Sequence, residues 1–399
     1  MTERLYYDMP ELTEFVAKVT AAEETDGGFK IALDKSAFYP TSGGQPYDTG
    51  IIIANGTEAR VTDVQTDAAG EVWHTVDNRI ESGTAVKCRI DIERRLDHTE
   101  QHAGEHMIAG AIWELLRGTT IGLHLGSTDS SIDVAMPDGR TKLTRQEICG
   151  IEDLVNRRIR MDAPIRCWFP EPEELAELKL RKAPTVKEHV RIVAMGDFEA
   201  VACGGTHPSS TGKIGCVKIL GAVPARGKVR VTFICGGRAI KRYQEIMAAA
   251  DEAGTLLSSP AGMLPDAVRA LQEKLAETEK SRDALMSLML LERLKTAETK
   301  SAGETVVSAV IEENGERGPA TEAVSKYVAQ GNRIALVCVG KALIYGCSRD
   351  VRTDMAALMR KTGRGGGRQD MASGAGDAES IKKAKEILDE NIREFEKNC

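Results

Sequence analysis

The chain has 399 residues, 42% hydrophobic and 28% charged, with 4% aromatic; this suits a globular protein of two or three domains and leaves few rings for stacking bases. A formal net charge of -7 argues against a broad basic surface of the kind that grips nucleic acid without selectivity, while leaving room for local basic clusters. No run approaches the roughly 20 apolar residues of a membrane span, and "MTERLYYDMPELTEF" lacks the apolar core of a signal peptide. A cytoplasmic protein with no membrane partner is expected. The nine cysteines form no CxxC pair, so a disulfide framework is not expected.

Taken in chain order, the segments "EFVAKVTAAEE", "GGFKIALDKS", "TGIIIANGTEARVTDVQ", "EVWHTV" and "TAVKCRIDI" alternate with period two between the breaks "DGG", "ANG" and "ESG". A small antiparallel β-barrel over residues 1–92 is predicted. At Glu93 the period changes. "ERRLDHTEQHAGEHMIAGAIWELL" has helical spacing, with Met107, Ile108, Ile112, Leu115 and Leu116 as its apolar stripe. Strand-like pieces follow ("SSIDVAM", "PIRCWF", "HVRIVAM", "GCVKILGAV", "KVRVTFICGG") with a helix at "TRQEICGIEDLVNRRIRM", giving an α+β region over 93–237. Residues 238–301 turn to helix formers. Leu264, Val268, Leu271 and Leu275 keep a 4,3,4 spacing that Thr278 and Arg282 interrupt and Leu285 and Met289 resume. This connector reads as a long helix, or a short antiparallel pair, packing on a neighbour or on a second copy. The last part, 302–399, alternates strand and helix around a glycine-rich loop, as a small α/β unit would. The whole is read as α+β.

The chemistry starts at "HTEQHAGEH". His98, His102 and His106 are four residues apart, so a helix points all three imidazoles to one side, and either adjacent pair makes an HxxxH module. Downstream, "ACGGTHP" supplies Cys203 and His207, also four apart, with glycines that let the backbone turn around an ion. Two imidazoles, a thiolate and a third imidazole suit tetrahedral Zn2+. Four protein ligands are the mark of a closed structural site, whereas catalytic zinc keeps one position open. A rival pattern overlaps this one. "HAGEH" fits HxxEH, the inverted zincin signature, in which Glu105 is the general base of a metallopeptidase. That reading needs a carboxylate as third ligand and leaves "CGGTH" unused.

"FYPTSGGQPYDTG", the HxxxH helix and "CGGTH" together resemble the editing domain of alanyl-tRNA synthetases, and more closely the free-standing AlaX-type alanyl-tRNA editing proteins. The resemblance extends through "GLHLGSTDSSIDV" and "VRVTFICGGRAI" to "GRGGGRQDMASGAG", which is similar to the DHHA1-type module of long AlaX proteins. It implies the ligand pair. The family pattern "DHMQQHTGQH" places His102 and His106 at the metal with Cys203 and His207, and His98 as an upstream companion. Ala103 and Glu105 depart from the family's Thr and Gln, which leaves the role of the carboxylate beside the metal open. The resemblance also implies a zinc-dependent editing domain over 93–237 and hydrolysis of the ester that joins a wrong amino acid, chiefly serine and sometimes glycine, to alanine tRNA. Such a second sieve is needed because a synthetase pocket rejects a similar side chain only modestly. No class II aminoacylation signature precedes Phe38, so deacylation in trans is expected.

In this reading Thr41, Gly43, Gly44 and Gln45 lie over the pocket: the glycines permit close backbone approach, Gln45 offers an amide, and Thr41 can pair with the serine hydroxyl. A plain hairpin turn accounts for the same residues. His124 is placed near the site by analogy, or is a core histidine. Lys361, Arg364 and Arg368 bracket "GRGGGR", which is read either as a tRNA phosphate contact or as a glycine hinge in a dimerising module. The expected partners are mischarged alanine tRNA and, through the connector or the C-terminal domain, a second copy of the chain. A noncatalytic tRNA-binding protein with structural zinc is the third reading.

Overall fold

A computed structural model describes residues 1–25, 28–184, 186, 188–297, 300–302 and 305–397. Two of the residues at the predicted "DGG" turn, and Cys399, lie outside the described residues. The chain forms two compact units, 1–249 and 250–399, with the division inside a helix of the expected connector.

The first unit begins with a closed antiparallel barrel of six strands: β1 (Glu14–Thr25), β2 (Gly28–Leu33), β3 (Gly50–Ala54), β4 (Thr57–Thr66), β5 (Val72–Val76) and β6 (Ala85–Ile90). Their order around the barrel is β1-β2-β5-β4-β3-β6. The period-two pattern is the cause. Phe15, Ala17 and Val19 point inward with Ile31, Ile52, Val61, Val76 and Val86, while Glu14, Val16 and Lys18 face out.

Asp91 caps the helix that follows, its carboxylate accepting from the Arg94 N–H, and α1 (Ile92–Leu116) runs through the middle of a second core. From His98 to Ile112 almost every residue of α1 is buried, and Leu115 at its end is exposed. The helix is covered by a four-stranded antiparallel sheet in the order β12 (Val217–Ala225), β13 (Lys228–Cys235), β8 (Ser130–Ala135) and β7 (Thr119–Leu125). It is also covered by α2 (Arg145–Arg160), which opens on a Thr144/Glu147 capping box. A three-stranded sheet, β9 (Ile165–Trp168), β10 (Ile192–Met195) and β11 (Glu199–Ala202), completes this part. A Cβ at Gly104 would fall 2.1 Å from Cys235 Sγ, so the bare backbone there lets α1 approach β13. A buried ion pair fastens barrel to helix: Arg95 Nε donates to Asp48 at 3.0 and 3.1 Å, and its guanidinium also donates to Pro10 O and Ala37 O.

The connector holds two helices, α3 (Gly236–Leu257) and α4 (Leu264–Thr296), with the whole leucine-rich stretch from Leu264 to Met289 on α4. Leu290 and Leu294 of α4 are buried, whereas the 4,3,4 stripe of Val268, Leu271 and Leu275 is exposed. The second unit carries a six-stranded sheet, β14 (Lys300–Ala302), β15 (Thr305–Glu312), β16 (Arg333–Val339), β17 (Ala342–Cys347), β18 (Arg364–Gly367) and β19 (Met371–Ala375), in the order β14-β15-β16-β17-β19-β18. Helix α5 (Arg317–Val328) packs in one core against the sheet, and α6 (Met355–Thr362) and α7 (Ala378–Lys397) belong to another. The expected α/β alternation holds for one pair only, since β15 and β16 are parallel and the other pairings antiparallel. Gly340, at φ +56°, begins the two-residue turn that makes β16 and β17 a hairpin, in place of the crossover helix that strict alternation requires. No described helix is long and apolar enough to cross a membrane.

Candidate metal centre

The middle of α1 and the loop after β11 bring four donors together. One ligand atom from each of His102, His106, Cys203 and His207 lies within 4.8 Å of all the others. Cys203 Sγ is 3.4 Å from His102 Nε2 and 3.4 Å from His207 Nε2. Bond lengths of about 2.0–2.1 Å to nitrogen and about 2.3 Å to sulfur, arranged tetrahedrally, require ligand separations of roughly 3.3–3.6 Å. Both sulfur–nitrogen separations fall in that range and the other donors lie within 4.8 Å, so the set suits a metal ion in kind and placement, and its hydrogen bonding agrees. His106 leaves both ring nitrogens buried with no partner, and an ion in the group would take one of them.

The ring of His102 is oriented from the barrel. Its Nδ1–H donates to Gln45 Oε1 at 2.8 Å, which fixes the tautomer and frees Nε2. The same Oε1 accepts from the Thr206 N–H at 3.1 Å, Gln45 Nε2 donates to Thr206 Oγ1 at 2.8 Å, and Thr206 Oγ1 is 2.9 Å from Thr99 Oγ1. A Cβ at Gly205 would sit 2.1 Å from His102 Cε1, so only glycine lets the loop close on the ring. Arg191 holds the loop from behind, donating to Cys203 O at 3.1 Å and Gly205 O at 2.8 Å, with its guanidinium 5.0 Å from the Tyr7 ring.

Burial sets the electrostatics. It lowers His102 to about 4 and carries His106 and His207 well below the ordinary imidazole range, so all three are neutral with lone pairs to offer. The Cys203 thiol is pushed up to about 12, also by burial. Glu105 is buried beside the group, its Oε2 4.0 Å from His106 Nε2, and desolvation raises it to about 7 against the pull of Arg181.

The other residues singled out by the sequence are placed as follows. Gln45 is inside the cluster, with its amide committed to His102 and Thr206. Gly43 and Gly44, at φ +59° and +86°, form an exposed two-residue hairpin turn closed by Ser42 and Gln45. Gly44 packs on β7, where a Cβ would meet Leu123 O at 2.8 Å. Thr41 is exposed, and its Oγ1 accepts from Gln65 Nε2 at 3.2 Å. His98 is buried on α1 outside the four-donor group; burial lowers it to about 4. His124 is exposed on β7. In the second unit Lys361, Arg364 and Arg368 are exposed, Arg368 pairing with Asp370 at 3.2 Å. "RGGG" supplies the edge strand β18 rather than a loop or hinge. Three further residues contribute to the cluster without having been singled out in the sequence: Thr99, Thr206 and Arg191. Thr206 lies inside "CGGTH" and Thr99 inside "HTEQHAGEH", but a lone arginine just ahead of a strand gives no signal.

Residues 3–94 match the family described as tRNA synthetases class II (A), and residues 190–232 match the threonyl and alanyl tRNA synthetase second additional domain. Alanine-tRNA ligases of Pyrococcus abyssi and Archaeoglobus fulgidus are 32% and 33% identical to this chain over 412 residues, covering 98% and 97% of it. The chain spans only 43% of the length of each of these ligases. The alanyl-tRNA editing protein AlaX-L of Pyrococcus horikoshii is 30% identical over 410 residues, which cover 98% of this chain and 97% of that protein. With nearly the full length of both chains matched at that identity, this chain belongs to the AlaX-L family of alanyl-tRNA editing proteins.

Proposed function

We propose that the chain is a zinc-dependent hydrolase acting in trans on mischarged alanine tRNA. It adds water across the ester between the amino acid and the terminal ribose, releasing free serine, and glycine as a second substrate, from the 3′ hydroxyl. The observation that carries this reading is the convergence of His102, His106, Cys203 and His207 in a chain similar to AlaX-L over its length. When bound there, zinc supplies a Lewis acid for carbonyl or water, or a charge that positions the substrate. The protein's own part is orientation. Gln45 and Thr206 fix the His102 ring, Gly205 admits it, and Arg191 holds the Cys203–His207 turn.

The turn of Thr41, Gly43 and Gly44 runs directly into Gln45, and we assign it to contacts with the aminoacyl group. Glu105 is assigned to the reacting region from its position beside His106. Lys361, Arg364 and Arg368 on the exposed β18 edge and beside it are assigned to tRNA phosphates. The uncovered apolar stripe on α4 supports pairing with a second copy.

One observation favours a second reading: four protein donors can close a structural zinc. Purified protein incubated with seryl-, glycyl- and alanyl-tRNA decides. Hydrolysis of the seryl ester that disappears in Cys203→Ala, with circular dichroism retained, is the expected result. A parent protein that releases nothing, but binds tRNA, would make this a noncatalytic module. The peptidase reading has less support, since no carboxylate joins the donor group among the described residues.

A further inference from the structure

A cleft of about 420 Å³ opens further along the helix that carries the metal ligands, walled by Gly110 and Trp113 on α1, by Arg117 just past its end, and by Lys179, Arg181 and Phe198 opposite. His102, His106, Gly110 and Trp113 follow at steps of 4, 4 and 3, which on a helix is a single stripe, and Arg117 is the left-handed residue that ends the helix. At the helical rise, Trp113 lies about 10 Å along the axis from His106. Between them stands Glu199, which Arg181 holds at 2.5 Å, its Oε2 2.6 Å from where a Cβ at Gly110 would be. Gly110, which lines the cleft, lies about one helical turn beyond His106 on α1, so the cleft and the donor group adjoin.

The lining is selective in kind. Trp113 is 37% exposed, with the Arg117 guanidinium 5.7 Å from its ring, and the half-buried Phe198 lies under Arg158 at 4.9 Å. Of the acids there, Glu114 is paired with Arg158 and Glu199 with Arg181, which leaves Asp197. Arg117 and Lys179 are exposed and have no ion pair among the described residues. Flat ring surface beside cations that form no ion pair among the described residues is what an unstacked base and its phosphate require, and it needs no broad basic surface.

We propose that this cleft binds the single-stranded nucleotides that precede the esterified adenosine at the RNA 3′ end, a base against Trp113 and phosphates at Arg117 and Lys179. The direction of the strand rests on the hydrolase reading above, whereas binding in the cleft can be measured without any turnover. The zinc-loaded full-length protein is titrated into a fluorescent RNA tetramer, uncharged and ending in CCA. Trp113→Ala is expected to weaken binding at least about tenfold, Trp113→Phe to restore most of it, and Lys179→Glu to lower the salt-dependence slope by about 0.7. In deacylation, Trp113→Ala should raise KM for seryl-tRNA, leave kcat at saturation, and leave the hydrolysis of 3′-seryl-adenosine unchanged. Unaltered tetramer affinity in both Trp113→Ala and Lys179→Glu overturns the proposal, as does an equal loss on seryl-adenosine. A parent protein that cleaves neither ester, with tetramer binding still dependent on Trp113, would sink the hydrolase reading and keep the cleft.

Discussion

Gln45 shows how much can rest on one amide. Its oxygen accepts from His102 and from the Thr206 backbone while its nitrogen donates to Thr206, so a barrel turn orients a helix side chain and a distant loop together. Removing such an outer partner typically costs 10–100-fold in metal affinity. Gln45→Ala is therefore expected to weaken zinc binding by about that factor, measured by competition with a chromophoric chelator, and Gly205→Ala to do at least as much because its methyl lands on the His102 ring. Parent-like affinity in Gln45→Ala would remove the orienting role. The four donors are readable as spacings, HxxxH and CxxxH, because a helix and a tight loop each turn a fixed interval into a shared direction. The function of Gln45 is not, since nothing local indicates that residue 45 reaches residue 102.

At the scale of elements, strand β5 buries His74 inside the barrel. Its Nδ1–H donates to Ile31 O at 3.2 Å, and Nε2 lies 2.8 Å from the Ser36 hydroxyl, which donates to it. Burial lowers this imidazole to about 4. The unfolded chain takes up the proton near the ordinary value of about 6.5, so between these limits the unfolded state binds more protons and stability rises with pH. The contribution is complete above about 6.5 and is lost as pH falls toward 4, with a ceiling of about 3 kcal/mol. Urea midpoints at pH 7 and pH 4.5 should lie closer together in His74→Gln than in the parent; an equal spacing would show that His74 carries none of the acid sensitivity. The barrel strands are legible because one face of each is buried, so their alternation survives in the sequence. β18 is not legible. Its glycines have poor strand propensity, and they are there because Cβ atoms at Gly365 and Gly367 would each lie 2.3 Å from carbonyl oxygens of β19. β7 is hidden for a related reason, as Gly122 and a register shift interrupt its alternation.

For the molecule as a whole, the two units differ in what a metal can do for them. His102 and His106 come from the central helix, Cys203 and His207 from the loop after β11, and Gln45 from the barrel, so an ion at this point joins three segments of residues 1–249. Among the described residues the second unit contributes no donor to the group, and it has two apolar cores of its own. Binding that requires a folded site adds its free energy to the folding of the unit that forms it, about 4 kcal/mol when free metal is 1,000 times Kd. Calorimetry of the full chain with excess zinc and then with a chelator should accordingly show one transition moving down by several degrees and a second staying in place. Proteolysis during the chelated scan should cut within residues 1–249 first, because the unit that loses its ion is the one that opens. Two transitions shifting by the same amount, or neither shifting, would contradict a metal centre confined to the first unit.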